Sequence, residues 1–285
     1  VGSEMCIRDR CLPAPHLYST YNSGMGFLFR PKELPRPASL TFTLNQAGHT
    51  YDDGHVGLAP TDITISERRV AVIGLNGAGK STLLGLLDGS LKANAGTVTI
   101  AGGEERLDPA VKKDAKRIDN LVGKVRREEI PNSFYQAANI SEAVSEALKK
   151  HKVPESERHA RIGNLFAHFD LAQVSKAKAS ELDSEKRHLL AIAAALSFEP
   201  SAIVADEPSK GLDEIGTAHV AKALFSYNKQ VIFATHDTDM IRRPEYAIDR
   251  VLVLDEHAVV FDGAPAAAVA FYEDLIRRRY ETRAS

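Results

Sequence analysis

The sequence predicts an α/β domain on a mostly parallel sheet, and three observations carry that expectation. RVAVIG (69–74), SAIVAD (201–206), QVIFAT (230–235) and RVLVLD (250–255) are short, nearly continuous apolar runs, the kind buried on both faces of a parallel sheet. Helical text follows the first run and separates the second from the third, the βαβ order of parallel strands. LTFTL (40–44) and TDITI (61–65) instead alternate apolar and polar residues, as strands with one buried face do.

In chain order, the two alternating strands come first and RVAVIG follows as a buried one. A helix is expected from Lys80 to about Leu87, stopped by Asp88-Gly89-Ser90, and TVTIAG (97–102) adds a further strand. The text then changes character. Ile140, Val144 and Leu148 recur every four residues, and Ile162, Leu165, Phe166 and Phe169 follow helical spacing, so two amphipathic helices are predicted, with Pro154 opening the second. They suggest a helical insertion over about 128–196, and a last helix is expected over about 265–279.

Bulk properties narrow the class. The 285 residues are 44% apolar and 26% charged, ample for a buried core. A formal net charge of −2 argues against a broad nucleic-acid surface. The run LLAIAAALSF is far shorter than the roughly 20 residues of a membrane-spanning helix. Both cysteines, Cys6 and Cys11, lie at the start, so the body can build no disulfide framework, which suits a reducing compartment. Residues 1–38 are proline-rich, lack periodicity and carry no secretory h-region. VGSEMCIRDR resembles translated adapter sequence, and 1–38 is expected to be a disordered or non-native leader, with the native start near Ser39.

GLNGAGKST (74–82) fits G-x-x-x-x-G-K-[ST] between a predicted strand and a predicted helix. Glycines let the backbone wrap a phosphate chain, amide N–H groups form an anion nest, and the helix N-terminus adds its positive end. Gly74, Leu75, Asn76, Gly77, Ala78, Gly79, Lys80, Ser81 and Thr82 are therefore the candidate nucleotide-binding loop. Lys80 is expected on the β and γ phosphates and Ser81 on Mg²⁺. AIVADEPSKGLD (202–213) places Asp206 at the end of a buried strand, as the second Mg²⁺ residue, and Glu207 next to it, to orient or deprotonate a water. VIFATHD (231–237) ends a strand predicted to neighbour that of Asp206, which lets His236 approach the γ-phosphate.

GLNGAGKST, AIVADEPSKGLD and ATHD, in that order, resemble the nucleotide-binding subunit of ATP-binding cassette transporters, over Leu40 to about Gly263. The resemblance implies a P-loop NTPase fold: a mostly parallel core sheet, an N-terminal antiparallel β region and an inserted helical subdomain, all within 39–285. It implies Mg-dependent ATP hydrolysis, with Lys80, Glu207 and His236 catalytic. TYDDG (50–54) resembles the loop whose aromatic, here Tyr51, stacks on adenine. That turn, the chain length and the closing FDGAPAAAVAFYEDL resemble the energy-coupling-factor branch, whose ATPases serve vitamin and metal-ion importers, the biotin and cobalt types being nearest. The partners implied are a second ATPase subunit in a head-to-tail sandwich, a transmembrane coupling subunit docked on the helical insertion and a substrate-binding membrane subunit, with no nucleic acid. The place implied is the cytoplasmic face of the cell membrane.

Two segments depart from the family pattern. Leu-Ser-Gly-Gly-Gln is expected before the helix that precedes the Asp206 strand, where this chain has Leu182, Asp183, Ser184, Glu185 and Lys186. Ser184, Glu185 and Lys186 are then the candidate segment facing a partner's phosphate. A carboxylate 4 Å from a phosphate charge costs about 4 kcal/mol at an effective dielectric near 20. Three resolutions stay open: a one-residue shift aligning Glu185 with the glutamine; Asp183 turning outward as an N-cap, with Ser184 and Lys186 facing the phosphate; or a partner site that does not hydrolyse. In VGKVRREEIPNSFYQ (122–136), Arg127 stands where the family has a glutamine touching Mg²⁺. A guanidinium has no lone pair to ligate a cation. Arg126 and Arg127 read equally well as a solvated basic pair.

The leading reading is the ATPase subunit of an importer. A nucleotide-gated binding subunit, or weakened half of an asymmetric complex, is a second reading, motivated by the altered segment and Arg127. A soluble cassette ATPase of DNA repair or translation is a third. A small-molecule kinase would not predict DEPSKGLD followed by ATHD.

Overall fold

A computed structural model describes residues 39–126 and 130–284; the expectations for the leader and Arg127 lie outside the described residues. The chain opens with strands β1 (Thr41–Thr50), β2 (Val56–Ile65) and β3 (Arg69–Gly74), then helix α1 (Lys80–Leu87). It continues through β4 (Ala95–Gly102), β5 (Glu105–Leu107), α2 (Lys112–Leu121) and β6 (Val122–Val125). A helical stretch follows: α3 (Asn132–Gln136), α4 (Ile140–Lys150), α5 (Glu155–His168), two short 3₁₀ turns, and α6 (Ser184–Ser197). β7 (Ala202–Asp206), α7 (Glu214–Phe225), β8 (Gln230–Ala234), α8 (Thr238–Arg242), β9 (Arg250–Asp255), β10 (Ala258–Gly263) and α9 (Pro265–Ala284) complete it.

The strands form two sheets. The antiparallel one runs β2-β1-β4-β5, and the larger runs β10-β9-β3-β8-β7-β6, parallel throughout except for its β9–β10 edge. This is the expected fold class. The period of two in a strand explains how one sheet serves two cores. Val70, Val72, Val204, Ile232, Ala234, Leu252 and Leu254 pack with α1 and the antiparallel sheet. Their neighbours Ala71, Ile73, Ile203, Ala205, Val231, Phe233, Val251 and Val253 pack with the helices of the insertion, α7 and α9. Both cores are continuous, which is why those strands read as unbroken apolar runs.

Several elements differ from the expectation. In α2, KKDAKRIDNL, only Ile118 and Leu121 are buried, too few apolar positions to show a helical period. α3 and α8 span five residues each, below the length over which periodicity registers. The final helix continues past residue 279 to Ala284; within its expected span, Arg277 and Arg278 pair with Asp274 one turn back. Pro154 stands just before α5 rather than as its first residue, with Glu155 and Glu157 in the first turn.

One buried side chain ties the antiparallel sheet to the parallel one. Gln230, at the start of β8, accepts from the Leu40 amide at 3.0 Å and donates to the carbonyls of Leu40 and Glu67, each at 3.0 Å. Gln230→Leu removes three bonds and strands buried backbone groups, so stability should fall by about 2 kcal/mol or more in urea unfolding. A change below about 0.5 kcal/mol would show that the clamp is dispensable.

Candidate functional site

The loop between β3 and α1 is shaped by backbone contact. Gly74 has φ +155, and a Cβ there would lie 2.3 Å from the Leu254 carbonyl oxygen. Gly79 has φ +100, and its Cβ would lie 2.5 Å from the Gly57 oxygen. Neither position admits a side chain. α1 begins at Lys80 with no side-chain cap and no acidic residue in its first turn, so its N-terminal amides keep their capacity for an anion. The buried Lys80 ammonium points back into the loop, donating to Gly74 O at 2.7 Å and Leu75 O at 3.1 Å. Ser81 is exposed beside it.

β7 and β8 bring the acids and the histidine to this loop. Parallel pairing sets Asp206 opposite Ala234, two residues before His236. Asp206 is buried, and its Oδ1 has no hydrogen-bond partner. Glu207 is buried in the left-handed region at φ +49, its amide donating to Ala234 O at 3.1 Å. Its Oε1 lies 2.8 Å from His236 Nε2 and 4.0 Å from Lys80 Nζ. A non-glycine residue at positive φ is uncommon, and the turn aims this carboxylate at the loop. A cleft of roughly 540 Å³ opens beside Glu207 and His236. The structure thus brings Lys80, Glu207 and His236 together. An unpartnered buried carboxylate oxygen on Asp206, with a hydroxyl on Ser81, is a donor set that suits Mg²⁺, a hard oxygen-seeking cation.

Tyr51 closes the turn after β1, its amide donating to His55 O at 2.8 Å, and its hydroxyl lies 3.0 Å from Thr82 Oγ1. The residue is 38% exposed, and its ring is stacked with His55 and meets His49 edge-on at the rim of the loop. Gly57 makes this possible, since a Cβ there would lie 2.6 Å from the Tyr51 ring and 2.8 Å from Thr82 Oγ1. Sequence reasoning passed over Gly57 and also His257, which turns β9 into β10 at φ +66, its Cα 3.5 Å from where a Gly79 Cβ would be. A lone glycine inside a strand, a mark of close backbone approach, was the available signal for the first.

The Asp183–Lys186 segment makes a different kind of helix end. Asp183 is the N-cap of α6: its Oδ1 accepts from Lys186 N at 2.8 Å and its Oδ2 from Lys186 Nζ at 2.6 Å. Lys186 is thus engaged with Asp183. Glu185 Oε1 lies 2.5 Å from His219 Nδ1 on α7, and Ser184 is exposed. Arg126, half-exposed, pairs at 2.8 Å with Asp88, a fully buried carboxylate at the end of α1. A carboxylate buried to that degree needs a charged partner, and its place as the first residue of the predicted helix stop gave no hint of one.

This fold, with the glycine-shaped loop between β3 and α1, defines a P-loop nucleoside triphosphatase. Comparison with known proteins narrows the class. The family model described as ABC transporter matches residues 60–210. A Deinococcus radiodurans protein, provisionally named an ABC transporter ATP-binding protein, is 33% identical over 231 residues, 81% of this chain and 96% of its own length. An energy-coupling factor transporter ATP-binding protein of Clostridium perfringens is 28% identical, covering 82% of this chain and 81% of its own. The solved structure of CbiO1 from Clostridium perfringens, part of the ABC transporter complex CbiONQ, superposes with a TM-score of 0.69 at 27% identity, over 86% of this chain and 94% of that one. The chain belongs to the ABC transporter family, as an ATP-binding, ATP-hydrolysing subunit.

Two outcomes test this geometry. Gly79→Ala places a methyl against the Gly57 carbonyl, so affinity for a fluorescent ATP analogue should drop at least about tenfold. Asp183→Ala removes an N-cap and should cost about 1 kcal/mol. The Lys186 ammonium and amide hold the Asp183 carboxyl below the usual carboxylate range. Its contribution is therefore complete above the ordinary Asp value and lost as pH falls through the lowered one. The stability gap between wild type and variant should narrow below about pH 4.

Proposed function

We propose that this chain is the ATP-hydrolysing subunit of an importer of the energy-coupling-factor type, with a vitamin or metal ion, biotin- or cobalt-like, as cargo. The convergence of Lys80, Glu207 and His236 on one loop carries the hydrolytic part of this reading. The Clostridium perfringens relatives, one named for an energy-coupling factor transporter and one a part of CbiONQ, support the transport part.

Each residue then has a role. Loop amides from Gly74 to Thr82 and the Lys80 ammonium hold the β and γ phosphates, and Tyr51 offers its exposed ring to the base. Ser81 and Asp206 would hold Mg²⁺, which neutralises phosphate charge when bound. Glu207 orients the attacking water and takes its proton. His236 Nε2, 2.8 Å from Oε1, holds that carboxylate in place beside the γ-phosphate. Closure of two such subunits around ATP, with this chain's loop facing the partner's α6 N-terminus, moves a docked membrane subunit.

No helix among the described residues is long and apolar enough to cross a membrane. The reading places membrane-embedded partner subunits beside this chain at the cytoplasmic face, with the CbiONQ neighbour in support. A groove of roughly 710 Å³ between the β6 edge, α4 and α6 suits a coupling subunit, with Val122, Ile130, Phe134 and Phe198 as apolar lining and Lys124 and Lys150 as charges. This makes residues 39–285 one cassette with its helical subdomain as the docking face. The capped start of α6 favours a second reading, a weakened half of an asymmetric complex.

Glu207→Gln should retain ATP binding and lower turnover at least about a hundredfold, and Lys80→Ala should lose both, as followed by phosphate release and nucleotide titration. Hydrolysis within twofold of wild type in Glu207→Gln would remove that residue from the mechanism. Purification of the complex from its native membrane should bring down membrane-embedded subunits.

A further inference from the structure

The Tyr51 side of the phosphate loop carries three histidines that the proposed function leaves without a part. β3 pairs with β8 on one side and with β9 on the other. Glu207 and His236 follow the paired ends of β7 and β8, so a triphosphate with its γ end there directs its nucleoside toward the β9 side. That side is walled by rings. His49 is already engaged: its Nδ1 lies 2.8 Å from the Lys92 carbonyl oxygen, and its ring meets Tyr51 edge-on at 4.7 Å. His55 is exposed and nearly parallel to Tyr51, the planes 20° apart and the centroids 6.3 Å apart. His257 stands edge-on to His55 at 5.0 Å and 89°.

The backbone fixes these rings. Tyr51 N donates to His55 O at 2.8 Å and His55 N to Asp53 Oδ1 at 2.9 Å, which closes the turn that presents His55. His257 lies in the turn from β9 to β10, whose Asp255 and Glu256 pair with Arg279 of α9 at 2.8 Å and 3.1 Å. The His257 carbonyl accepts from Ala59 N on β2 at 2.8 Å. This residue carries two local costs: a left-handed backbone, φ +66, and a buried Nδ1 with no hydrogen-bond partner among the described residues. Such costs persist where surrounding structure over-determines a residue, and they point to function. Here the place so fixed is beside Gly79 of the loop and against the ring of His55.

We infer that His55 is a second base-stacking residue beside Tyr51, and that His257 is the positioning residue that holds it there. The inference rests on the nucleotide site of the proposed function and adds to it a preference for purines. Two nearly parallel rings offer a bicyclic base more stacking surface than a single-ringed base can use.

Calorimetric titration of the full chain with Mg²⁺ and, in turn, ATP, CTP and inorganic tripolyphosphate tests this. His55→Ala should weaken ATP at least about fivefold and CTP less than about twofold. Tripolyphosphate affinity should be unchanged, because it carries no base to meet the ring. His55→Phe should restore ATP binding. His257→Gly suits the left-handed backbone and should fold, while weakening ATP about threefold through the freed His55 ring. In a chain already carrying His55→Ala it should add nothing further. ATP affinity within about twofold of wild type in His55→Ala would overturn the proposal. So would an equal loss for tripolyphosphate, the mark of a disturbed loop. A His257→Gly effect that persists without His55 would overturn the positioning role. A wild-type chain that binds neither ATP nor tripolyphosphate would instead overturn the nucleotide site on which the inference stands.

Discussion

The site depends on backbone packed directly against backbone at the end of β3. Gly74 lies against the Leu254 carbonyl on β9, and Gly79 against the Gly57 carbonyl on β2. The candidate phosphate-binding loop is thereby braced by the parallel sheet on one side and the antiparallel sheet on the other. No side chain could hold it as closely, because rotamer freedom would return the freedom that fixed carbonyls remove. Gly57 has a second contact, leaving room for the Tyr51 ring against Thr82, so one glycine positions both the phosphate loop and the aromatic beside it. The antiparallel sheet is thus part of the site and not a cover laid over it.

Once the loop is fixed, charge decides what can surround it. Lys80 and Glu207 are both buried, and ionised groups in such a place persist only when paired. They lie 4.0 Å apart, and His236 is 2.8 Å from Glu207, so each helps justify the others' burial. Parallel pairing of β7 with β8 brings the ends of the two strands side by side, Asp206 opposite Ala234, and the turn at Glu207 completes the approach to His236. Glu207 departs from regular strand geometry, with φ +49, and in that conformation its carboxylate lies 4.0 Å from Lys80 Nζ.

The parallel strands were legible because burial on both faces leaves an unbroken apolar run, and the loop because its glycines answer to one geometric demand. Asp206, Glu207 and His236 were legible from their places at strand ends. The adjacency of β7 and β8 was read correctly, but the rest of the strand order was not, since the pairing of β3 with β8 and β9 joins segments far apart in the chain and leaves no local mark. α2 was hidden by its charge, and β5 by its three residues. Arg126 shows the limit most plainly: its ion pair with the buried Asp88 is visible only when the end of β6 and the end of α1 meet in space. The same holds for Glu185, whose partner His219 is 34 residues away on another helix.

The opposed ends of α1 and α6 follow from one rule applied twice. A helix start leaves amides without partners, and something negative or polar must meet them. In α1 no side chain caps them, and the glycines before it keep side chains out. In α6 Asp183 meets them and recruits Lys186, while Glu185 is drawn to His219. The acidic start of α6 is therefore an ordinary cap by its local physics. Its consequence lies elsewhere: a helix end that satisfies itself stabilises its own chain and gives up the capacity to bind a phosphate brought by another. Self-sufficiency at α6 and dependence on a ligand at α1 are the same physics with the anion supplied from opposite sources, and that asymmetry is built into a single chain before any partner is present.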